Sequence, residues 1–180
     1  MALDMHSASV PIFVRMLGNL VTWLDKAEAH ATAKKFEPSV YLTARLSPDM
    51  LPLPTQIQIA CDAAKFCIAR LAGSEGPAFA DDEKSLADLR QRVAKTIDYL
   101  KSVPAAQIAG SDAKEISVPR RTGAITMTGE AYLKHFALPN FFFHVTTTYA
   151  LLRHNGVELG KMDYLGALTQ PQQQAAPSAA

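Results

Sequence analysis

The sequence predicts an all-α fold, a four-helix bundle with a small β-hairpin before the last helix. Four stretches carry apolar residues at the three- and four-residue spacing of an amphipathic helix, and two short runs before the fourth stretch alternate apolar and polar residues. With 180 residues, 48% of them hydrophobic, the chain is long enough for one sizeable core and too short for two ordinary domains. In such a bundle, sites are built from side chains that point inward from facing helices.

The first helix is predicted over Ser9 to Lys35. Its core stripe consists of Val10, Phe13, Val14, Leu17, Leu20, Val21 and Leu24. Continuing that stripe brings Glu28 onto the core face, while His30 and Trp23 fall on the opposite side. The proline-rich segment from Glu37 to Pro54 is predicted to be a connector with one helical turn that lies over the Trp23 face, with His30 packed beneath it.

The second helix is predicted from about Pro54 to Leu71, with Gly73 as its C-terminal cap. The third begins after an acidic pair at positions 81 and 82, which complements the helix dipole, and ends before Pro104. Both helices carry one apolar stripe, so each is expected to pack through one face.

A β-hairpin is predicted over Lys114 to Thr128, where two alternating runs flank Gly123. After a short amphipathic piece, Pro139 suits the first position of a new helix, which is predicted over Pro139 to His154. The segment after that helix is expected to run back over the bundle. The single bundle domain is predicted over residues 1–168, and the Gln-, Ala- and Pro-rich residues 169–180 are predicted to be a disordered tail.

Charge and hydropathy argue against two classes of partner. Lys and Arg number 18 and Asp and Glu 17, so the net charge of +1 gives no basic field that would attract nucleic acid. No apolar run approaches the roughly 18 residues that span a bilayer, and the N-terminus lacks the basic region of a secretion signal. We therefore expect a cytoplasmic protein that binds neither nucleic acid nor membrane, with Cys61 and Cys67 reduced in its core.

The last helix contains the main candidate for chemistry. His144 lies beside a line of core residues, whereas His154 lies near the helix end, where it would stabilise the helix dipole. His144 and Glu28 are the inward-facing pair that a catalytic site would use, with His135 as a further helper. A histidine that satisfies its hydrogen bonds inside the core is the commoner case and stays open as the alternative.

A metal site has few candidate ligands. Catalytic zinc needs three protein ligands, commonly with two of them three or four residues apart on one helix. No residue three or four positions from His144 is a histidine, and His135 is nine residues earlier. His144 and His135 are therefore the tentative ligands of a divalent metal that the sequence does not favour.

Long stretches of the chain resemble a known family. They read "SVPIFVRMLGNL", "LTARLSPDMLPLPTQIQIACDAAKFCIARLAG" and "HFALPNFFFHVTTTYALLRHNGVELGKMDYLG". In this order they resemble an uncharacterised bacterial family, classed as a domain of unknown function, over about residues 1–168. That family is remotely similar to the DinB/YfiT-like four-helix bundles, which include metalloenzymes and metal-dependent thiol transferases.

The resemblance implies a bundle whose metal, where present, binds three histidines, two of them in an H-x-x-x-H pattern on the last helix. Here Thr148 occupies the position of the second histidine after His144, and the second helix has no histidine. The expected function is therefore a small-molecule-binding or interaction module that lacks the full three-histidine site. We expect it to form a homodimer through an apolar face with Ile12, Met16 and Trp23. The alternative is a metal-dependent, thiol-transferase-like enzyme with its site around His144.

Overall fold

The computed structural model describes residues 4–167 and forms a helical bundle. In chain order the elements are α1 Val10–Lys34, a 3-10 turn Pro38–Thr43, α2 Leu53–Ala72, α3 Leu86–Ser102, α4 Ala105–Ile108, β1 Glu115–Arg120, β2 Gly123–Thr128, α5 Gly129–Tyr132, a π-helical segment Leu133–Ala137, α6 Leu138–His154 and α7 Lys161–Leu165. The prediction of a mainly helical bundle with a hairpin before the last helix is confirmed. The tail predicted at residues 169–180 lies outside the described residues.

The four long helices share one apolar core. Helix α2 packs against both α3 and α6, and α1 contacts α3 and α6 from the other side. Phe13 of α1 meets Phe141 of α6 edge to face, with ring centroids 4.8 Å apart, and both rings are fully buried. The two cysteines are buried and unpaired, as predicted. Within residues 4–167, no helix has the length and apolarity that a membrane crossing requires.

The last helix is longer than its sequence pattern suggests. Helical structure runs from Gly129 to His154 without interruption, so the break predicted at Pro139 is wrong. The π-helical segment Leu133–Ala137 directly precedes the proline. A proline ring clashes with the carbonyl four residues earlier, and the wider π turn gives that carbonyl room, so the helix continues.

The outer face of α1 is covered by the C-terminal segment. Trp23 is fully buried; its indole N–H donates to the carbonyl oxygen of Asp163 at 3.0 Å, and its ring stacks on Tyr164. Met16 is only 6% exposed. The segment runs back over the bundle as expected and covers Trp23. Because Trp23 and Met16 are both buried, the prediction that these two residues form an exposed apolar face is wrong, while Ile12 is partly exposed.

The proline-rich connector covers the next part of the same face. His30 lies beneath it, with its Nδ1 atom 2.6 Å from the hydroxyl of Tyr41 and its ring against Phe36. Tyr41 is 1% exposed. The prediction that His30 packs under the connector is confirmed, and its role is structural. The connector does not cover Trp23, which the C-terminal segment covers instead.

The hairpin lies beside α2 and the start of the last helix. Strands β1 and β2 are antiparallel, and the register runs from Glu115 opposite Thr128 to Arg120 opposite Gly123. Gly123 has a φ of 123°, which side-chain-bearing residues rarely adopt, so it suits the turn. One face of β1 is buried through Ile116 and Val118, and this face anchors the hairpin to the bundle.

A charge network around the buried Arg92 fixes the long connection between α2 and α3. Arg92 of α3 is 3% exposed and binds Asp62 of α2 together with Asp81 and Glu83 of the connection. Burial acts to raise the pKa of Glu83, but hydrogen bonds from Gln58 and Arg92 outweigh it and hold the pKa below its usual value. Asp81 pairs with Arg92 and does not cap the helix. Helix α3 therefore starts later than predicted, at Leu86, with Ser85 as its N-terminal cap.

Candidate functional site

His144 lies where α6 packs against α2. Its side chain is 8% exposed, so the prediction that it borders the core is confirmed. Its Nδ1 atom is 2.8 Å from Oε1 of Gln56 on α2, and Gln56 is 1% exposed. The sequence pattern contains no indication of this partner, because an amide on a helix has no spacing rule that links it to a histidine 88 residues away.

The hydrogen bonds of Gln56 determine which ring nitrogen of His144 carries the proton. The amide nitrogen of Gln56 donates to the carbonyl oxygen of Leu51 at 3.0 Å, and a carbonyl oxygen only accepts. Oε1 of Gln56 therefore faces His144 as an acceptor, so Nδ1 must donate. The neutral imidazole then has its lone pair on Nε2.

The Nε2 atom is the reactive end of this arrangement. It has no hydrogen-bond partner among residues 4–167. It is not fully buried either, so it remains accessible to solvent. Burial lowers the pKa of His144, which favours the neutral ring near pH 7. An oriented neutral imidazole with a free lone pair can accept a hydrogen bond or a proton from a bound molecule.

The threonines beside His144 supply no further ligand. The hydroxyl of Thr148 donates to the carbonyl oxygen of His144 at 2.9 Å, and that of Thr147 donates to Phe143 at 2.8 Å. Both are bonds within the helix, four residues back, which satisfy buried hydroxyl groups. Thr148 is fully buried, and its hydroxyl is used in the hydrogen bond to the backbone.

Glu28 does not join His144. Its carboxylate is half exposed and pairs with Arg90 of α3, which also lies 3.2 Å from Asp25. The buried residues of α1 near this point are Leu24, Ala27 and Ala31, so the core stripe lies one position away from the one extrapolated from the sequence. The prediction that Glu28 faces inward is wrong, because the stripe turns with the helix over several turns.

His135 does not join His144 either. It is exposed and lies in the π-helical segment, and nine residues of helix separate the two histidines by about 13 Å along the axis. At about 100° per residue, nine residues also place the two side chains on opposite sides of the helix, whereas the ligating atoms of one metal ion lie within about 4 Å of each other, so this predicted pair does not share an ion. Residues 4–167 contain no group of three His, Cys, Asp or Glu side chains that could hold a metal.

The three-histidine centre implied by the family resemblance does not fit these residues. Gln56 occupies the α2 position that faces His144, and both ends of its amide are used. Thr148 occupies the next turn of α6 and is bound to the backbone. One imidazole remains, which is too few ligands for a zinc site.

Two concave surfaces lie near His144, one on the outer face of α6 beside Leu46 and one between α2 and the start of the last helix. Thr147, three residues after it, lines a shallow groove of about 410 Å³ that also contains Phe143 and Leu46. Asn140, four residues before it, lines a cavity of about 220 Å³. Residues at these spacings lie on the same face of a helix, so the histidine sits between the two spaces.

Aromatic rings make up much of both surfaces. Phe143 is 57% exposed, and its ring meets the imidazole of His144 edge to face at 5.1 Å. The cavity is lined by Ile59, Asp62, Ala63, Phe66, Arg70, Val118, Pro119, Tyr132, Phe136, Ala137 and Asn140. Apolar walls with a few polar groups are the usual composition of a small-molecule site. Sequence reasoning missed this cavity because its lining comes from α2, the hairpin and the π-helical segment.

Comparisons with known proteins agree with the fold. Comparison with curated proteins gives no match. The crystal structure of a DinB family member protein from Shewanella denitrificans is 44% identical, with a TM-score of 0.87; the match covers 93% of this chain and 94% of that one. A family described as "Domain of unknown function (DUF1993)" matches residues 5–165. The resemblance inferred from the sequence is thereby confirmed, and the chain belongs to the DUF1993 family, with a DinB-like fold.

Proposed function

We propose that this protein is a small-molecule-binding module whose ligand lies along the α2–α6 seam beside His144. The observation that carries the proposal is the chain of hydrogen bonds from His144 through Gln56 to Leu51. It holds the imidazole in one orientation and leaves Nε2 free as an acceptor. A ligand with an O–H or N–H donor can reach that atom with its apolar part against Phe143 or in the neighbouring cavity.

A metal-dependent, thiol-transferase-like activity is less well supported. It would need ligands in place of Gln56 and Thr148, whose polar atoms are already paired with His144 and the backbone. One histidine does not organise a catalytic metal site, which needs three protein ligands. We therefore favour ligand binding, or proton transfer by the imidazole alone, over metal catalysis.

We further propose that the protein is a homodimer and that it is cytoplasmic. The homodimer needs a face other than the covered one around Trp23, and sedimentation equilibrium at micromolar concentration would detect it. The cytoplasmic location is likewise a prediction, and fractionation of the native host would test it.

The binding proposal can be tested with neutral fragments. Phenols, alcohols and primary amides should shift the ¹⁵N resonance of His144 Nε2 in the intact protein, because each supplies a hydrogen-bond donor. Substitution of His144→Phe should weaken their binding about 2- to 10-fold, the range of one neutral hydrogen bond. His154→Phe, which removes an exposed histidine at the end of the same helix, is the matched control and should change nothing. Fragments that bind equally to the His144→Phe protein would contradict the proposal.

A further inference from the structure

The cavity beside Asn140 contains a guanidinium group that no carboxylate neutralises. Arg70 of α2 lies over the rings of Phe66 and Tyr132, with its Cζ atom 5.4 Å and 5.8 Å from their centroids. Its one side-chain hydrogen bond in residues 4–167 goes from Nη1 to the hydroxyl oxygen of Tyr132, at 2.9 Å. Most of its N–H donors are therefore available.

The acid that lines the same cavity is already neutralised. Oδ1 of Asp62 lies 2.8 Å from Nζ of Lys65 and 3.2 Å from Nη2 of Arg92, and both of these cations are almost fully buried. Asp62 is thus committed to the charge network between α2 and α3. The uncompensated charge of the cavity is the positive charge of Arg70.

Two neutral groups in the cavity also have unused hydrogen-bonding capacity. Tyr132 is 1% exposed, and its hydroxyl oxygen accepts from Arg70, but its O–H proton has no acceptor in the described part of the chain. Burial raises the pKa of Tyr132 to about 12, so the hydroxyl stays a donor near neutral pH. The side-chain amide of Asn140 makes no hydrogen bond within residues 4–167. These groups and Arg70 all line one small space.

We propose that this cavity binds a small carboxylate with an apolar, preferably aromatic, body. The carboxylate accepts from Arg70 and from the hydroxyl of Tyr132, which together present donors for its two oxygens. The body lies between the rings of Phe66 and Phe136. The volume of about 220 Å³ equals that of roughly seven water molecules in the liquid, which suits a single ring or a short branched acid. The inference rests on the proposed function in taking the α2–α6 seam as the ligand site.

Benzoate is the probe that tests the charge and the body together. Titration of the full-length protein with benzoate, followed by the ¹⁵Nε resonance of Arg70 and the ring resonances of Tyr132, should give saturable shifts. Benzamide, which has the same shape without the charge, should bind at least about tenfold more weakly, since a hydrogen bond to a charged group contributes more than a neutral one. Acetate should also bind more weakly than benzoate, because it lacks the ring.

The matched variants are Arg70→Gln and Arg120→Gln. Arg120 stacks on Phe136 at 4.7 Å but does not line the cavity, so its loss removes the same charge nearby. Arg70→Gln should weaken benzoate binding at least about tenfold and Arg120→Gln less than about twofold. Tyr132→Phe, which keeps the ring, should weaken binding about 2- to 10-fold.

Three results would overturn the carboxylate site: no shift at Arg70 with benzoate at about 10 mM, equal binding of benzamide and benzoate, or equal losses in the two arginine variants. The test of the carboxylate site can be distinguished from the test of the role proposed for His144. Benzoate binding that depends on Arg70 and persists in the His144→Phe protein would support the carboxylate site while contradicting the role proposed for the histidine. If neutral fragments bind only when His144 is present and benzoate does not bind, the role of the histidine is supported and the carboxylate site is contradicted.

Discussion

The hydrogen bond between His144 and Gln56 is expected to couple the two residues energetically. Replacing Gln56 by Leu leaves the Nδ1–H donor of His144 buried without an acceptor, whereas the carbonyl of Leu51 is at an exposed residue and can bind water. An unsatisfied buried donor costs about 1–3 kcal/mol, so we expect Gln56→Leu to reduce the free energy of unfolding by about 2 kcal/mol. His144→Phe leaves Oε1 of Gln56 unpaired and should cost a similar amount.

The double variant distinguishes a specific pair from general damage to the core. With both partners removed, no polar atom of the pair is left unsatisfied, so the combined loss should be smaller than the sum of the single losses by about 1–2 kcal/mol. The matched control is Gln58→Leu, also a buried glutamine of α2, whose amide instead donates to Glu83 at 2.8 Å. Its effect should add to that of His144→Phe within about 0.5 kcal/mol.

Equilibrium unfolding in urea measures these differences. At a slope of about 2 kcal/mol per molar, a loss of 2 kcal/mol lowers the midpoint by about 1 M. The ¹⁵N spectrum of His144 gives an independent check, because the proposed tautomer has its proton on Nδ1. Additive losses in the double variant, or a proton found on Nε2, would refute the reasoning from Gln56 to the free lone pair.

Three other predictions test the protonation of the site, the buried charges and the C-terminal cover. Burial lowers the pKa of His144, so as the pH falls below about 6.5 the unfolded chain takes up its proton first and the free energy of unfolding should decrease. Gln56→Glu should raise that pKa in an NMR titration, since a carboxylate favours the imidazolium, and so reverse this dependence. Arg92→Met should cost about 3 kcal/mol in urea unfolding because it leaves the nearly buried carboxylate of Glu83 without its cation, while Lys95→Met, at an exposed residue, should cost less than about 0.5 kcal/mol. Asp163→Asn removes the ion pair with Lys26 that holds α7 over Trp23, the single tryptophan. Greater exposure of Trp23 to water should shift its fluorescence emission to longer wavelength, and an unchanged spectrum would contradict that role of the ion pair.

The local elements follow from short-range patterns in the sequence. Apolar spacing predicts the four long helices, and Gly123 predicts the hairpin turn, because both depend on backbone conformation and on the burial of one face. The position of His144 beside the core also follows from spacing, since it lies close to buried residues on the same helix. The identity of residue 148 as threonine is enough to exclude an H-x-x-x-H motif that starts at His144.

Only the tertiary structure decided which polar groups meet. Glu28 fell outside the core because a small error in the helix phase grows over several turns, and the break expected at Pro139 was bridged by a π turn. Gln56 reaches His144, and Arg70 reaches Tyr132, only because α2 packs beside the last helix. Sequence determines the face a residue occupies on its own helix, but the packing of the helices determines what that face touches, and the candidate site consists of such contacts.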